Sequence, residues 1–231
     1  MKNDFINNMT HEFKTPISTI SLAAQMLKDP AVAKSPQMFQ HISGVINDET
    51  KRLRFQVEKV LQMSMFERQK TMMKLNAVDV NDLVTSVMST FKLKVEKFGG
   101  TIDADLAAED AMVMVDEMHF TNVIFNLLDN AVKYAREDVP LALFIRTRIE
   151  GDKVEISIQD NGIGIKKEDL KKIFEKFYRV STGNLHNVKG FGLGLAYVHK
   201  IVTDLKGTIR AESELGVGTK FIITLPLIKN K

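Results

Sequence analysis

Over the first 70 residues apolar side chains return at every seventh position, and this repeat constrains the fold more than any other feature of the chain. Ile6, Phe13, Ile20 and Leu27 form one series, with Met9, Ile17 and Ala24 beside them. Phe39, Ile46, Leu53 and Val60 form a second, with Ile42, Val57 and Met63 alongside. A sustained seven-residue period specifies long helices packed along a coiled-coil seam. Residues 28–36 separate the two series, and there Pro36 suits the first position of the second helix with Ser35 as its cap. Two helices enclose too thin a core to stand in water, so a second copy of the hairpin is expected to complete a four-helix bundle. Packing of the hairpin against the rest of its own chain is the alternative.

One segment of this hairpin does not serve packing. With Ile6 as heptad position a, His11 falls at f, the most solvent-facing position, and Thr15 lies one turn further along the same face. Pro16 sits inside the helical pattern, where it removes a hydrogen bond and crowds the carbonyl of Glu12. Such an interruption costs about 3 kcal/mol in an ordinary helix. A surface histidine beside it is a candidate reactive group, although a lone exposed histidine is usually just solvated.

From about residue 75 the pattern changes. An amphipathic helix is expected over 80–98, stopped by Gly99 and Gly100. Short strands are expected at 101–106 and 112–115, then a helix over 120–134. Segments 141–149 and 153–159 alternate as paired strands around the turn Glu150-Gly151-Asp152. A further helix follows Lys189-Gly190, and 208–211 with 220–225 read as a closing hairpin. Helices and strands mix without strict alternation, which favours a mixed sheet with helices on one face. The expected class is α+β, a helical hairpin over 1–70 and an α/β unit over 71–231, with a short linker near 70–75.

Three clusters in the second part resist a purely structural account. Asn126, Asn130 and Lys133 share one stripe of an otherwise apolar helix, although Asn is a mediocre helix former. They form either a solvated face or an oxygen-lined site suited to Mg²⁺ together with water and phosphate. Asp160-Asn161-Gly162-Ile163-Gly164 follows a strand directly. Asn-Gly is a common hairpin signal, yet 165–170 does not alternate as a return strand. Glycines at 162 and 164 let a ligand approach the backbone, and a carboxylate at 160 can accept from an amine. Gly190-Phe191-Gly192-Leu193-Gly194-Leu195 opens a helix, where backbone N–H groups and the positive dipole end suit phosphate. Its spacing fits neither a P-loop nor a Rossmann turn. The polar stretch 181–187 before it suits a mobile lid.

Composition narrows the field without choosing within it. The surplus of 32 Lys and Arg over 29 Asp and Glu is small and interspersed, and with no Trp and 3 Tyr nothing points to nucleic acid. Cysteine is absent, which excludes disulfides and thiol chemistry and fits a reducing compartment. No apolar run approaches the length of a membrane span, so no membrane contact is expected from this stretch of chain.

Taken in order, these segments resemble the catalytic core of a sensor histidine kinase of a two-component system. Residues 5–16, Phe-Ile-Asn-Asn-Met-Thr-His-Glu-Phe-Lys-Thr-Pro, are similar to the family's phosphoacceptor box, and 126–134 to its asparagine box. Residues 160–164 and 190–195 are similar to its first two glycine boxes, 174–179 to its phenylalanine box, and Gly216-Val217-Gly218-Thr219 to its last glycine box. The resemblance implies a dimerisation and phosphotransfer hairpin joined to an ATP-binding sandwich of the type shared with gyrase and heat-shock chaperones.

It further implies a role for each matching residue. Asn130 would coordinate Mg²⁺ with Asn126 in support, and Lys133 and Arg179 would face the ATP phosphates. Tyr134 would meet the base, Asp160 the adenine amine, and Thr219 would lie beneath the adenine. Gly192 and Gly194 would cradle phosphate, with Gly162, Gly164, Gly190, Leu193 and Leu195 completing the nucleotide contacts. His11 would take the phosphoryl group, and at pH 7 or above an unperturbed histidine, with a pKa of about 6.5, is mostly neutral and able to attack. Glu12 can accept a proton from one imidazole nitrogen. Thr15 would orient water to dephosphorylate the partner. The implied partners are a second copy of the chain and the receiver domain of a response regulator. The implied location is the cytoplasmic side of a protein anchored in the bacterial inner membrane. An ATP-driven clamp without a phosphoprotein intermediate, and a scaffold that binds nucleotide without catalysis, stand as alternatives.

Overall fold

A computed structural model describes residues 2–68, 73–97, 99–180 and 192–228. The chain divides into two compact units, which meet in sequence between residues 72 and 73.

The first unit holds α1 (Lys2–Met26), α2 (Pro30–Ala33) and α3 (Pro36–Arg68). The connector is built by local capping. Asp29 accepts from the Ala31 N–H at 2.8 Å, and Ser35 Oγ accepts from Met38 N–H at 3.4 Å, at the start of α3. Ala23, Val32 and Ile42 are buried together, with Leu27, Val45 and Ile46 packed around them. The seam on α1 runs through Pro16, Ile20, Ala23 and Leu27, so Ala24 and Ile17 lie outside it, contrary to expectation. The four-three-four spacing of those residues is the seam, and the sevenfold series captured only part of it. The helix continues through Pro16, whose side chain is buried. Ile17, Leu22, Met26, Met38, Phe39 and Val57 stay exposed, because one hairpin has only one seam to bury them in.

The second unit runs β1 (Asn76–Asp79), α4 (Val80–Lys97), β2 (Thr101–Leu106), β3 (Met112–Val115), α5 (Glu117–Lys133), β4 (Ala142–Glu150), β5 (Lys153–Asp160), α6 (Gly194–Asp204), β6 (Thr208–Glu214) and β7 (Gly218–Pro226). Five strands form a mixed sheet in the order β2-β4-β5-β7-β6, parallel only between β2 and β4. Period-two burial builds its core face: Ile145 on β4 pairs with Ile158 on β5, and Ile156 pairs with Ile223 on β7. Val84, Phe120, Ile124 and Ile201 of the three helices are fully buried. The other face carries charge, as in the pairing of Arg148 with Asp105 and of Arg210 with Glu155.

Two features escaped the sequence patterns. β1 pairs antiparallel with β3 in a separate two-stranded ribbon, and four half-exposed residues carry no alternation to announce it. α5 starts three residues earlier than expected because Asp116 caps it, accepting from His119 N–H at 3.1 Å. α6 begins at Gly194, whereas Gly190, after which the helix was expected, and the lid expected over 181–187 lie outside the described residues. Among the described residues no helix is long and apolar enough to cross a membrane.

Candidate nucleotide site

β5 ends at Asp160 in the middle of the sheet, with Leu143 of β4 on one side and Thr219 of β7 on the other. A strand ending there leaves a hollow, and α5 and α6 flank it. The result is a cavity of about 640 Å³, open to solvent, which Asn130, Tyr134, Asp160, Arg179, Leu195 and Thr219 help to line. Five of the expected segments, 126–134, 160–164, 174–179, 190–195 and 216–219, thus each contribute to one volume.

Asp160 is held by backbone. Its Oδ1 accepts from Gly162 N–H at 2.8 Å and from Thr219 N–H at 3.2 Å, while Oδ2 has no protein partner among the described residues. Burial pushes this carboxyl above the ordinary aspartate value, and the two N–H donors only partly offset it. Thr219 is itself buried, and its Oγ1 lies 2.9 Å from Ser213 Oγ. Ser213 accepts from Ile165 N–H at 2.8 Å and donates to the Gly218 carbonyl at 2.7 Å. This serine belongs to no pattern that the sequence singled out, yet it ties the floor of the cavity to the loop after β5.

That loop is clamped on both sides. Ile163 N–H donates to the Tyr134 carbonyl at 3.0 Å, and Gly216 N–H donates to the Ile163 carbonyl at 2.8 Å. Asn161 is structural, because its amide bridges the Ala142 N–H and the Pro140 carbonyl at 2.8 and 2.9 Å. No room exists for side chains at the flanking glycines. A Cβ at Gly164 would lie 2.0 Å from the Glu214 carbonyl oxygen, at a φ of +71°. We expect Gly164→Ala to lower stability by about 2–4 kcal/mol, read as a shifted midpoint in urea denaturation.

α5 supplies the next wall. Tyr134 closes its C-terminus, and burial pushes the phenol above its ordinary value against the opposing charge of Arg179. Asn130 faces the cavity, whereas Asn126 sits one turn back and donates from Nδ2 to the Asn122 carbonyl at 2.7 Å. Lys133 is not among the cavity-lining residues; its ammonium is paired with Asp129 at 2.7 Å.

α6 presents its first turn to the same region. Leu193 is buried at the cap position and provides no side-chain cap, so the first-turn N–H groups keep their capacity for an anion. Gly194 packs against α5: an added Cβ would stand 3.0 Å from Asn126 Oδ1. Gly192, at a φ of +68°, accepts from Phe177 N–H at 2.9 Å, and Phe177 is also held at positive φ, 66°. Phe174 packs on Phe221 and His199 at ring distances of 6.4 and 5.6 Å, which anchors this segment by packing. Next to Phe177, a hydrogen bond to Asp169 pushes the Tyr178 phenol up to about 12.

In the first unit, His11, Glu12 and Thr15 all lie on α1, with the side chains of His11 and Glu12 outside the described set. Thr15 is exposed, and its carbonyl accepts from Thr19 Oγ1 at 3.0 Å.

Two family models match the chain. Residues 115–229 match the histidine kinase-, DNA gyrase B- and HSP90-like ATPase, and residues 1–69 match the His Kinase A (phospho-acceptor) domain. The chain is 74% identical over 230 residues to the sensor protein RprX of Bacteroides fragilis, covering 100% of this chain and 44% of that protein. It is 31% identical to the sensor-like histidine kinase SenX3 of Mycolicibacterium smegmatis, covering 97% of this chain and 57% of that protein. Its fold is that of histidine kinase ThkA in a crystal structure with the response regulator protein TrrA. That match has a TM-score of 0.70 at 24% identity, over 97% of this chain and 61% of that one. A hairpin bearing a phosphoacceptor box, followed by this type of ATPase sandwich, defines a class of signalling kinases. The chain belongs to the sensor histidine kinase family. It spans about half the length of the curated relatives it matches.

Proposed function

We propose that this chain binds ATP with Mg²⁺ in the cavity at the end of β5, phosphorylates His11, and passes the phosphoryl group to an aspartate of a response regulator. The observation that carries this reading is the convergence of Asp160, Thr219, Asn130, Tyr134 and Arg179 on one cavity. Residues 1–70 act as the dimerisation and phosphotransfer domain and 71–231 as the catalytic domain. The exposed apolar residues of the hairpin, Ile17, Leu22 and Phe39 among them, support pairing with a second copy into a four-helix bundle.

The roles follow from chemistry. The unpartnered Oδ2 of Asp160 accepts from the adenine amine, Tyr134 packs on the base, and Thr219 supports it from below. The first turn of α6, with Gly192, Gly194 and Leu195, receives phosphate, and Arg179 adds positive charge. Gly162 and Gly164, where a side chain would strike the Tyr134 and Glu214 carbonyls, let the loop pack closely beneath the base. The amide oxygen of Asn130 suits Mg²⁺, which takes few protein ligands and shares the rest of its shell with phosphate and water. This fits the donor set, because among the described residues no cluster of three His, Asp or Glu is present to cage an ion. When bound, the ion neutralises charge on the phosphates.

An imidazole nitrogen of His11 attacks the γ-phosphorus, so a P–N bond forms while the bond to the ADP oxygen breaks and ADP leaves with the electron pair. Glu12 takes the proton released from the ring. In the next step the aspartate oxygen of the receiver replaces the nitrogen. ThkA, which shares the fold, is known in complex with a response regulator, and this supports the partner class. Incubation with γ-³²P-ATP and Mg²⁺ tests the reading: acid-labile, alkali-stable label is expected, and its absence refutes it.

Thr15, one turn beyond His11 and exposed, gives the chain a second activity as a response-regulator phosphatase. Its hydroxyl orients the water that attacks the aspartyl phosphate. Thr15→Ala should keep autokinase activity and lose most phosphatase activity, measured as release of ³²P from a labelled regulator. Equal rates in variant and parent would remove the assignment.

A further inference from the structure

α5 carries an ion triad that the reaction described above does not use. Asp129 Oδ2 lies 2.7 Å from Lys133 Nζ, and its Oδ1 lies 2.8 Å from Lys94 Nζ of α4. The carboxylate is 13% exposed and the Lys133 side chain 35%. Burial works against the charge on Asp129, yet Lys133 and Lys94 together hold its carboxyl below the ordinary value. The two lysines differ in how firmly they are placed. Lys94 also lies over the Phe91 ring, 5.1 Å from its centroid, and Phe91 packs edge-on against Phe125 of α5 at 4.7 Å. Lys133 has no second ion pair or hydrogen bond among the described residues.

One carboxylate with two ammonium groups leaves a surplus positive charge, and Lys133, which lacks the ring contact that Lys94 makes and lies on the helix that walls the cavity, is the one placed to deliver it. It sits one turn beyond Asn130 on the helix that walls the cavity. Release of a lone partner would strand a mostly buried carboxylate, which is costly. With Lys94 on the other oxygen, Asp129 stays paired after Lys133 leaves. We propose that Asp129 holds Lys133 back from the nucleotide phosphates until a nucleotide arrives, and that Lys94 makes its release cheap by keeping Asp129 paired. Asp129 and Lys94 are thereby positioning residues that set nucleotide affinity. The proposal rests on the nucleotide reading of the cavity.

Isothermal titration of ATP and of adenosine into the full chain with Mg²⁺ tests it. Asp129→Asn, which keeps size and removes the charge, should tighten ATP binding about threefold, and Lys94→Met should weaken it about threefold. In an Asp129→Asn background Lys94→Met should change nothing, and in a Lys133→Met background neither substitution should act. Adenosine, which has no phosphate, should bind all variants equally. Weaker ATP binding in Asp129→Asn would overturn the proposal, as would an unchanged effect of Lys94→Met in the Lys133→Met background. A parent chain that binds adenosine but not ATP would overturn it too, whereas failure to bind either ligand would refute the nucleotide reading itself.

Discussion

A His11→Gln chain is expected to take up no acid-labile ³²P from γ-labelled ATP while binding ATP as tightly as the parent. Glutamine is a good helix former, so α1, which runs from Lys2 to Met26 through this position, keeps its propensity. What disappears is the ring nitrogen that can hold a phosphoryl group, since an amide nitrogen is not a nucleophile. The cavity proposed to take ATP lies in the second unit and is built from α5, α6 and the ends of β5 and β7, none of which contains residue 11. Binding and labelling should therefore separate completely. Labelling that persists in the variant would place the phosphoacceptor elsewhere. This outcome also divides the kinase reading from an ATP-driven clamp, which would bind and hydrolyse ATP without passing through a labelled histidine.

Much of this architecture was legible in the sequence because its signals are local. The seven-residue repeat announces a hairpin, Pro36 and Ser35 mark the start of α3, and the turn at Gly151, with φ +65°, fixes the register of β4 against β5. Legibility fails where pairing is long-range. β1 becomes a strand only because β3 lies beside it, and nothing in Asn76-Ala77-Val78-Asp79 alternates. The site divides in the same way. Glycines and carboxylates that must meet a ligand stand out because they break local rules, as Gly164 and Gly218 do at φ +71° and +144°. Ser213 and Lys94 obey the rules of an ordinary strand and helix, so their contacts with Thr219 and Asp129 emerge only from the folded chain. Lys133 is the instructive intermediate: its stripe on α5 is readable, but which carboxylate holds it, Asp129, emerges only from the folded chain.

The second large effect is expected at Asp160, where Asp160→Asn should abolish ATP binding without unfolding the chain. The amide oxygen of asparagine can replace Oδ1 and still accept from Gly162 N–H and Thr219 N–H, so the loop and the β5–β7 register stay in place. Nδ2 then stands where Oδ2 stood and presents a donor to the donor amine of adenine. A lost charge-assisted hydrogen bond together with an unsatisfied buried donor costs about 3–5 kcal/mol, or roughly 150- to 5,000-fold in affinity. Stability should move the other way. Burial raises the carboxyl in the folded chain above its unfolded value, so the native state binds the proton more readily and ionisation opposes folding as pH rises through that window. A neutral amide does not carry this penalty, and its urea midpoint at pH 7 should equal or exceed the parent's. Acidification should mimic the substitution: protonating Asp160 removes the acceptor, so ATP affinity falls at a pH above that expected for an exposed aspartate. The altered edge should in turn favour a base with an oxygen in place of the amine. A gain in inosine triphosphate binding relative to ATP would identify Asp160 as the residue that reads the base, and a ratio unchanged from the parent would show that it does not.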